Sequence, residues 1–374
     1  MKINIIGGGP AGLYFAILMK KQQAGAQVAV YERNAPDDTF GWGVVFSDKT
    51  LSYLKDNDEE TYREITSSFE TWDNVDVVHR DQKITIRGNK FSGIARLRLL
   101  QILQRRCQSL GVQLHFRAEI EDVERFRRCN LLVGADGIYS ATRQRYSRYF
   151  KPSLSVRANK YIWYGTRQLF HGLTLTFHET EAGVFAAHSY KFNKEMSTFI
   201  VECDPETWMQ AGFKEMTDED TRRYLEQVFA NDLHGHELLS NNSKWINFIN
   251  VKNERWSHDN MVLLGDALHT AHFSIGSGTK LALEDAIALA NCFDATSNVS
   301  EALMEFERVR KPVIEEYQEA AYESLVWFEN VKDYMSLSPV PFAYKLMTRS
   351  KRIDYENLKR RDPQFIAAYD QSGS

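Results

Sequence analysis

Cysteine is scarce in this 374-residue chain: Cys107, Cys129, Cys203 and Cys292 are scattered, and no two form a CxxC pair. A disulfide scaffold or a thiolate metal knuckle would need more, so a reduced, cytoplasmic protein is expected. No apolar run reaches the roughly 20 residues of a membrane-spanning helix. The formal net charge is −4, with no basic surplus to attract nucleic acid or an anionic membrane. The first residues read directly as a strand, not as the charged and then apolar segment of a secretory leader. Internal repeats and low-complexity stretches are missing too. His269 and His272 stand close together, but no carboxylate or Cys completes a ligand set, and no metal is expected. What the chain does have is 43% apolar and 12% aromatic residues, enough for one large domain or two joined ones.

The most informative stretch is "INIIGGGPAGLYFAILMKK", residues 3–21. "KINII" is β-branched and apolar, as a buried parallel strand would be. Gly7, Gly9 and Gly12 form G-x-G-x-x-G, and "LYFAILM" is apolar on every side, as in a helix buried against a sheet. "QVAVYER" is then a second strand, ending at Glu32, 20 residues past Gly12. Gly7 permits the tight turn, Gly9 lets backbone approach a pyrophosphate, and Gly12 lets helix and strand close up. The helix N-terminus faces the negative charge, and Glu32 can accept from ribose hydroxyls. The elbow by itself admits either NAD or FAD.

Residues 36–90 read as a polar insertion opening with the loop "PDDTFGWGVVFSD". Leu99, Leu100, Leu103 and Leu110 mark an amphipathic helix closed by Gly111. "VQLHFR" reads as a short strand, and "NLLVGADGIYSATR" as strand, turn and helix start. From about 155 to 203, Thr, Tyr, Phe and Val in runs between polar turns indicate an antiparallel sheet. Residues 218–230 look helical, "NMVLLGDALHTAHFSIGSGTK" returns to strand, loop and helix, and the remainder is mostly helical, with Pro312 and "SPVPF" breaking it. The fold class is therefore α/β. A Rossmann-like domain (1–150 and 255–300) is interrupted by an antiparallel β-sheet substrate domain (151–254), and a helical segment (301–374) follows.

The N-terminal elbow, "GADG" at 134–137 and "GDALHTAHFSIGSG" at 265–278 occur in this order at sensible spacing. Together they make the chain resemble the group A FAD-dependent aromatic monooxygenases, with the fold of p-hydroxybenzoate hydroxylase. The resemblance implies that Gly7, Gly9, Pro10, Ala11 and Gly12 cradle the FAD pyrophosphate. It places Glu32, with Arg33 beside it, at the adenosine ribose, and Arg96 on FAD from its helix start. Asp136 and Gly137 belong to the family's motif for FAD and NAD(P)H. Asp266 is implied at the ribityl-phosphate region, and Gly276 and Gly278 at the isoalloxazine ring. The family usually has Pro where this chain has Phe273 and Asn where it has Thr279.

The chemistry implied is reduction of FAD by NAD(P)H, addition of O2 at flavin C4a, and delivery of OH from the hydroperoxide to an electron-rich ring. The cofactor carries the hard steps, and the protein supplies position and a dry pocket. Tyr164, His188, His269 and His272 are candidate pocket residues, with His272, in the loop expected to pass the flavin, the candidate base or substrate contact. For any one of them taken singly, packing or capping without a chemical role is the readier account. Trp42 is placed either beside the flavin ring or as a core anchor.

"PDDTFGWGVVFSD", "LLGDALHTAHFSIGSGTKLALEDAIALA" and "RSKRIDYENLKRRDPQF" resemble the salicylyl-CoA 5-hydroxylases and the monooxygenase half of the 2-aminobenzoyl-CoA monooxygenase/reductases. The second flavin domain of that fused family is expected to be absent. "NKYIWYGTRQLF" and "MSTFIVEC" are similar to the tryptophan-hydroxylating flavoenzyme of violacein biosynthesis. The expected substrate is thus an aryl-CoA thioester, with tryptophan or another indole as the alternative. A basic tail (Arg349, Lys351, Arg352, Lys359, Arg360, Arg361) would suit CoA phosphates or form a solvated helix face. An FAD-fold binding protein without oxygenase activity is the reading from another class, and an NAD-only dehydrogenase leaves the 265–278 loop without a use.

Overall fold

The computed structural model describes residues 1–372, with the side chains of 47–51 left out. Its first sheet joins β1 (Lys2–Ile6), β2 (Gln27–Tyr31), β8 (Gln113–His115), β9 (Leu131–Gly134), β16 (Ser257–His258) and β17 (Met261–Leu263). Their order is β16-β17-β9-β1-β2-β8, parallel except for the β16–β17 pair. β1 is buried from Ile3 to Ile6, because helices cover both faces and leave no polar side to alternate with. The helix Pro10–Gln22 starts with Pro10 in its first turn and is buried from Pro10 through Met19. The helices Arg96–Ser109 and Gly278–Ala295 pack against it.

A second sheet of eight strands contains β10 (Pro152–Thr166), β11 (Leu173–Thr180), β12 (Gly183–Lys191), β13 (Ser197–Cys203), β14 (Leu238–Leu239) and β15 (Ile246–Asn253). Its two remaining strands, β5 (Val75–His79) and β6 (Gln82–Ile86), come from outside 151–254, with β5 pairing parallel to β11. One face is closed by Phe213, Leu225 and Phe229, the other by Phe328, Phe342 and Leu346 from the C-terminal helices. A third sheet, ordered β3-β7-β4, consists of β3 (Gly43–Ser47), β4 (Glu70–Trp72) and β7 (Phe91–Ala95) and leads straight into the helix at Arg96.

Three expectations are corrected. "GVVFS" is a paired strand, not a loop; Val44, Val45 and Phe46 are buried. The Ser47 and Asp48 side chains of that segment lie outside the described residues. Pro312 does not break its helix, which runs unbroken over Val299–Glu329. The lost backbone bond costs about 3 kcal/mol, and burial of Leu303, Phe306, Ile314 and Leu325 along the same helix offsets it. "SPVPF" begins a helix, with Pro339 in the first turn, where the missing N–H has no partner to lose. No helix among the described residues is long and apolar enough to cross a membrane.

Candidate functional site

At the end of β1 the backbone turns at Gly7, whose φ of +108° disfavours any side chain. A Cβ there would lie 2.1 Å from the Ala135 carbonyl oxygen, so Gly7 also lets β9 come close. A Cβ at Gly12 would lie 2.2 Å from the Gly7 oxygen. Gly9 differs: nothing lies within 4 Å of its Cβ direction. The sterically obligate glycines thus shape the elbow, and Gly9 faces open space at the helix N-terminus. Glu32 braces the turn, its Oε2 accepting from the Gly8 N–H (2.7 Å) and its Oε1 from the Asn34 N–H (2.8 Å). Arg33 is exposed beside it. Asp136, beyond β9, accepts from the Ser140 hydroxyl and the Thr142 N–H and so fixes the helix start there, while Gly137 turns with φ +76°.

The 265–278 loop meets the elbow directly. Gly265, at φ +58°, would place a Cβ 3.1 Å from that of Ala11. The carboxylate of Asp266 is exposed yet lies deep between walls of protein. Those walls raise its pKa, against the opposing pull of Arg96 and His269. Arg96 is half-buried; burial lowers its pKa, and Asp266 and Tyr190 oppose that. Its Nε is closed to solvent without a hydrogen-bond partner, as is Nε1 of Trp42. The Trp42 carbonyl accepts from the Arg96 N–H (2.8 Å), and the Trp42 ring lies against Gly165 of β10 and, at 6.4 Å, Phe192. Gly276, with φ +61°, is exposed, and Gly278 opens a helix with nothing within 4 Å of its Cβ direction.

These features fit FAD: an open glycine at a helix N-terminus, an exposed carboxylate on the neighbouring loop, and a buried guanidinium nitrogen left without an acceptor.

Over one face of the second sheet, a narrow void is lined by Arg157, Asn159, Tyr161, Glu202, Phe248 and His272. His272, on the flavin-side loop, is buried, and its Nδ1 lies 2.8 Å from the Ser274 hydroxyl. Burial, with the electrostatic influence of His188, Arg349 and Arg157, holds its pKa well below the usual histidine value. His188 packs against Phe273 (5.2 Å) and Phe328 (4.8 Å). Arg349 reaches in from the C-terminal region, donating to Ser324 Oγ (2.8 Å) and to the Ser274 carbonyl (2.7 Å). Burial pulls its pKa down to about 10, with Glu202 opposing.

Two pocket candidates are corrected. Tyr164 is buried with Ile162, Phe199 and Phe229 on the opposite face of the sheet, where its hydroxyl donates to Asp218 (2.9 Å). Side chains alternate along a strand, so Tyr161 faces the void in its place. His269 is taken up by Asp285, 2.7 Å away. The basic tail also disperses: Arg349 points inward, Lys351 pairs with Glu323, Arg352 lies over Tyr317 and Arg361 donates to Asn89. Glu202 is the residue the sequence reading passed over. A lone acid inside "STFIVEC" was the signal, since a charge on a fully buried strand needs a reason.

The family model described as "FAD binding domain" matches residues 1–321. The chain is 40% identical over 381 residues to salicyloyl-CoA 5-hydroxylase of Streptomyces sp, covering 99% of this chain and 73% of that protein. It is 34% identical to protodeoxyviolaceinate monooxygenase of Chromobacterium violaceum, covering 94% and 95%. That violacein relative is named for protodeoxyviolaceinate, not for tryptophan. Among solved structures, 2-methyl-3-hydroxypyridine-5-carboxylic acid oxygenase superposes with a TM-score of 0.71 at 18% identity over 96% of this chain and 97% of the other, a likeness of fold. With the elbow, the Asp266 loop and the unpartnered Arg96 converging as they do, the chain belongs to the FAD-binding-domain family and is a flavin-dependent aromatic monooxygenase.

Proposed function

We propose that this enzyme takes electrons from NAD(P)H and hydroxylates an aromatic ring held as an aryl-CoA thioester. The observation that carries this reading is the 40% identity to salicyloyl-CoA 5-hydroxylase along 99% of the chain. FAD, when bound, supplies the redox and oxygen-activating chemistry. The chain's own residues bind, orient and exclude water. Gly9 and the N-terminus of Pro10–Gln22 hold the pyrophosphate, and Arg96 and Asp266 hold the cofactor between them. Phe248 and Leu325 give the void its apolar wall beside the charged and polar groups that line the rest of it, and Phe273 and Phe328 pack behind His188, so water is kept from the reacting ring. His272, kept neutral by its surroundings, serves as a hydrogen-bonding contact for the substrate rather than as a base. Catalysis takes place in the cytoplasm.

The test is NADH and NADPH oxidation stimulated by salicyloyl-CoA or 2-aminobenzoyl-CoA, with a product heavier by one oxygen. Hydroxylation of an indole is the second reading, favoured by the 34% identity to the violacein-pathway enzyme. Coupled turnover with an indole, and none with either thioester, would select it.

A further inference from the structure

Glu202 is 2% exposed, yet neither of its carboxylate oxygens has a hydrogen-bond partner. His188 is 4% exposed, and its Nε2, 3.6 Å from Glu202 Oε2 and beyond hydrogen-bond reach, has none either. A buried carboxylate normally accepts several hydrogen bonds, because loss of water is otherwise uncompensated. The strand register explains where these groups point. Glu202 of β13 lies opposite Tyr161 of β10 on one side and Ala186 of β12 on the other, so His188, two residues on, shares its face. Glu202 lines the void that Tyr161 and His272 also line. Phe273, on the loop assigned to the flavin, packs on both Tyr161 (4.7 Å) and His188 (5.2 Å). The unsatisfied acceptor therefore borders the void beside the 265–278 loop.

We propose that Glu202 is the specificity-determining acceptor of the substrate: its carboxylate takes the hydrogen bond of a hydroxyl or amino group borne on the aromatic ring, without proton transfer. An ionised carboxylate can only accept, so it selects for an O–H or N–H and against an ether or a bare ring. The same hydrogen bond pushes electron density from oxygen or nitrogen into the ring, which an electrophilic hydroxylation requires. The inference rests on the aryl-thioester reading above.

The experiment titrates the FAD-loaded protein with salicyloyl-CoA, benzoyl-CoA and 2-methoxybenzoyl-CoA and follows the flavin absorbance. The wild type should bind salicyloyl-CoA about tenfold or more tightly than the other two, the usual size for a hydrogen bond to a charged group. Glu202→Met, similar in size but without an acceptor oxygen and checked for FAD content, should lose that preference and keep its affinity for benzoyl-CoA. A Met variant that still prefers salicyloyl-CoA overturns the role of Glu202 and leaves the substrate reading intact. Equal binding of the methoxy and hydroxy compounds by the wild type overturns it without any variant. If no thioester perturbs the wild-type flavin, the aryl-thioester reading fails, and this inference falls with it.

Discussion

Asp285, inside the helix Gly278–Ala295, accepts a 2.7 Å hydrogen bond from Nε2 of His269, at the far end of the turn that carries Asp266. Its other oxygen accepts from Arg310 Nε (2.8 Å), and its Oδ2 also accepts from the Gly265 N–H (3.3 Å). Burial works to raise this carboxyl's pKa, but His269 and Arg310 outweigh it and hold the value below the usual range. Asp285 is fully buried, and removing its charge leaves Arg310 with Glu284 (3.1 Å) as its remaining carboxylate. Asp285→Asn should cost about 1–3 kcal/mol in denaturant unfolding and lower FAD occupancy, because Gly265 and Asp266 lose their anchor. A loss under about 1 kcal/mol would refute the network. The sign with pH follows from the lowered folded value. The stabilisation is complete above the unfolded pKa, near 4, and disappears as pH falls through the folded one.

The glycine elbow predicts two different failures. Gly9 has open space at its Cβ direction, so Gly9→Val should leave the melting temperature of the FAD-free protein nearly unchanged and abolish FAD retention. Gly12→Val meets the Gly7 carbonyl oxygen within 2.2 Å at its first atom and should unfold the domain. FAD absorbance per chain and melting temperature separate the two. Full FAD content in Gly9→Val would detach this elbow from the pyrophosphate.

Asp266 and Arg96 lie within electrostatic reach of one another, each opposing the effect of burial on the other. Asp266→Ala should weaken FAD binding by about 1–3 kcal/mol, the size of one or two hydrogen bonds. The mutation relieves an exposed carboxylate and breaks no buried pair, so thermal stability without FAD should hold. A titration of the FAD-free variant with FAD measures this, and an unchanged Kd would remove Asp266 from the site.

The parts legible in the sequence were those encoded locally. Gly7 and Gly12 stand on one short strand–turn–helix unit, where the need for glycine follows from the neighbours, while Glu32 braces the turn through the Gly8 and Asn34 N–H groups, a role the local pattern did not give. The second sheet was legible only in part. β5 joins it by parallel pairing with β11, roughly a hundred residues away, and no local pattern announces such a partner. The parity of β10 was hidden for a different reason. A register shift between Val156 and Lys160 resets which residues face inward, and the run "YIWYG" is aromatic on both faces. Pro312 misled because tertiary burial outweighed a local rule.

That parity gives its own prediction. Tyr164→Phe loses one hydrogen bond to Asp218 and should cost about 1 kcal/mol of stability, with the flavin spectrum and turnover unchanged. Tyr161→Phe should leave stability alone and change the apparent KM for the aromatic substrate. A turnover defect in Tyr164→Phe with none in Tyr161→Phe would reverse the assignment.

His272 makes the acid side of the stability curve a test of the pocket. Its surroundings are dry, and His188, Arg349 and Arg157 all disfavour a proton on it, so its folded pKa lies well below the 6.5 of a free histidine. The unfolded chain takes up that proton near pH 6.5 and the folded one refuses it. Protonation therefore favours the unfolded state. Above pH 6.5 this residue adds no pH dependence. Below it, stability falls by up to about 1.4 kcal/mol per pH unit until the folded pKa is reached. Urea unfolding at pH 7.5, 6.0 and 5.0 should show that slope in the wild type and a shallower one in His272→Gln. A neutral His272 also predicts that kcat/KM has no acid limb near 6.5 that belongs to it. If such a limb exists and disappears in His272→Gln, the imidazole is protonated in the working enzyme, and the dry pocket drawn around Phe248 and Phe273 is wrong.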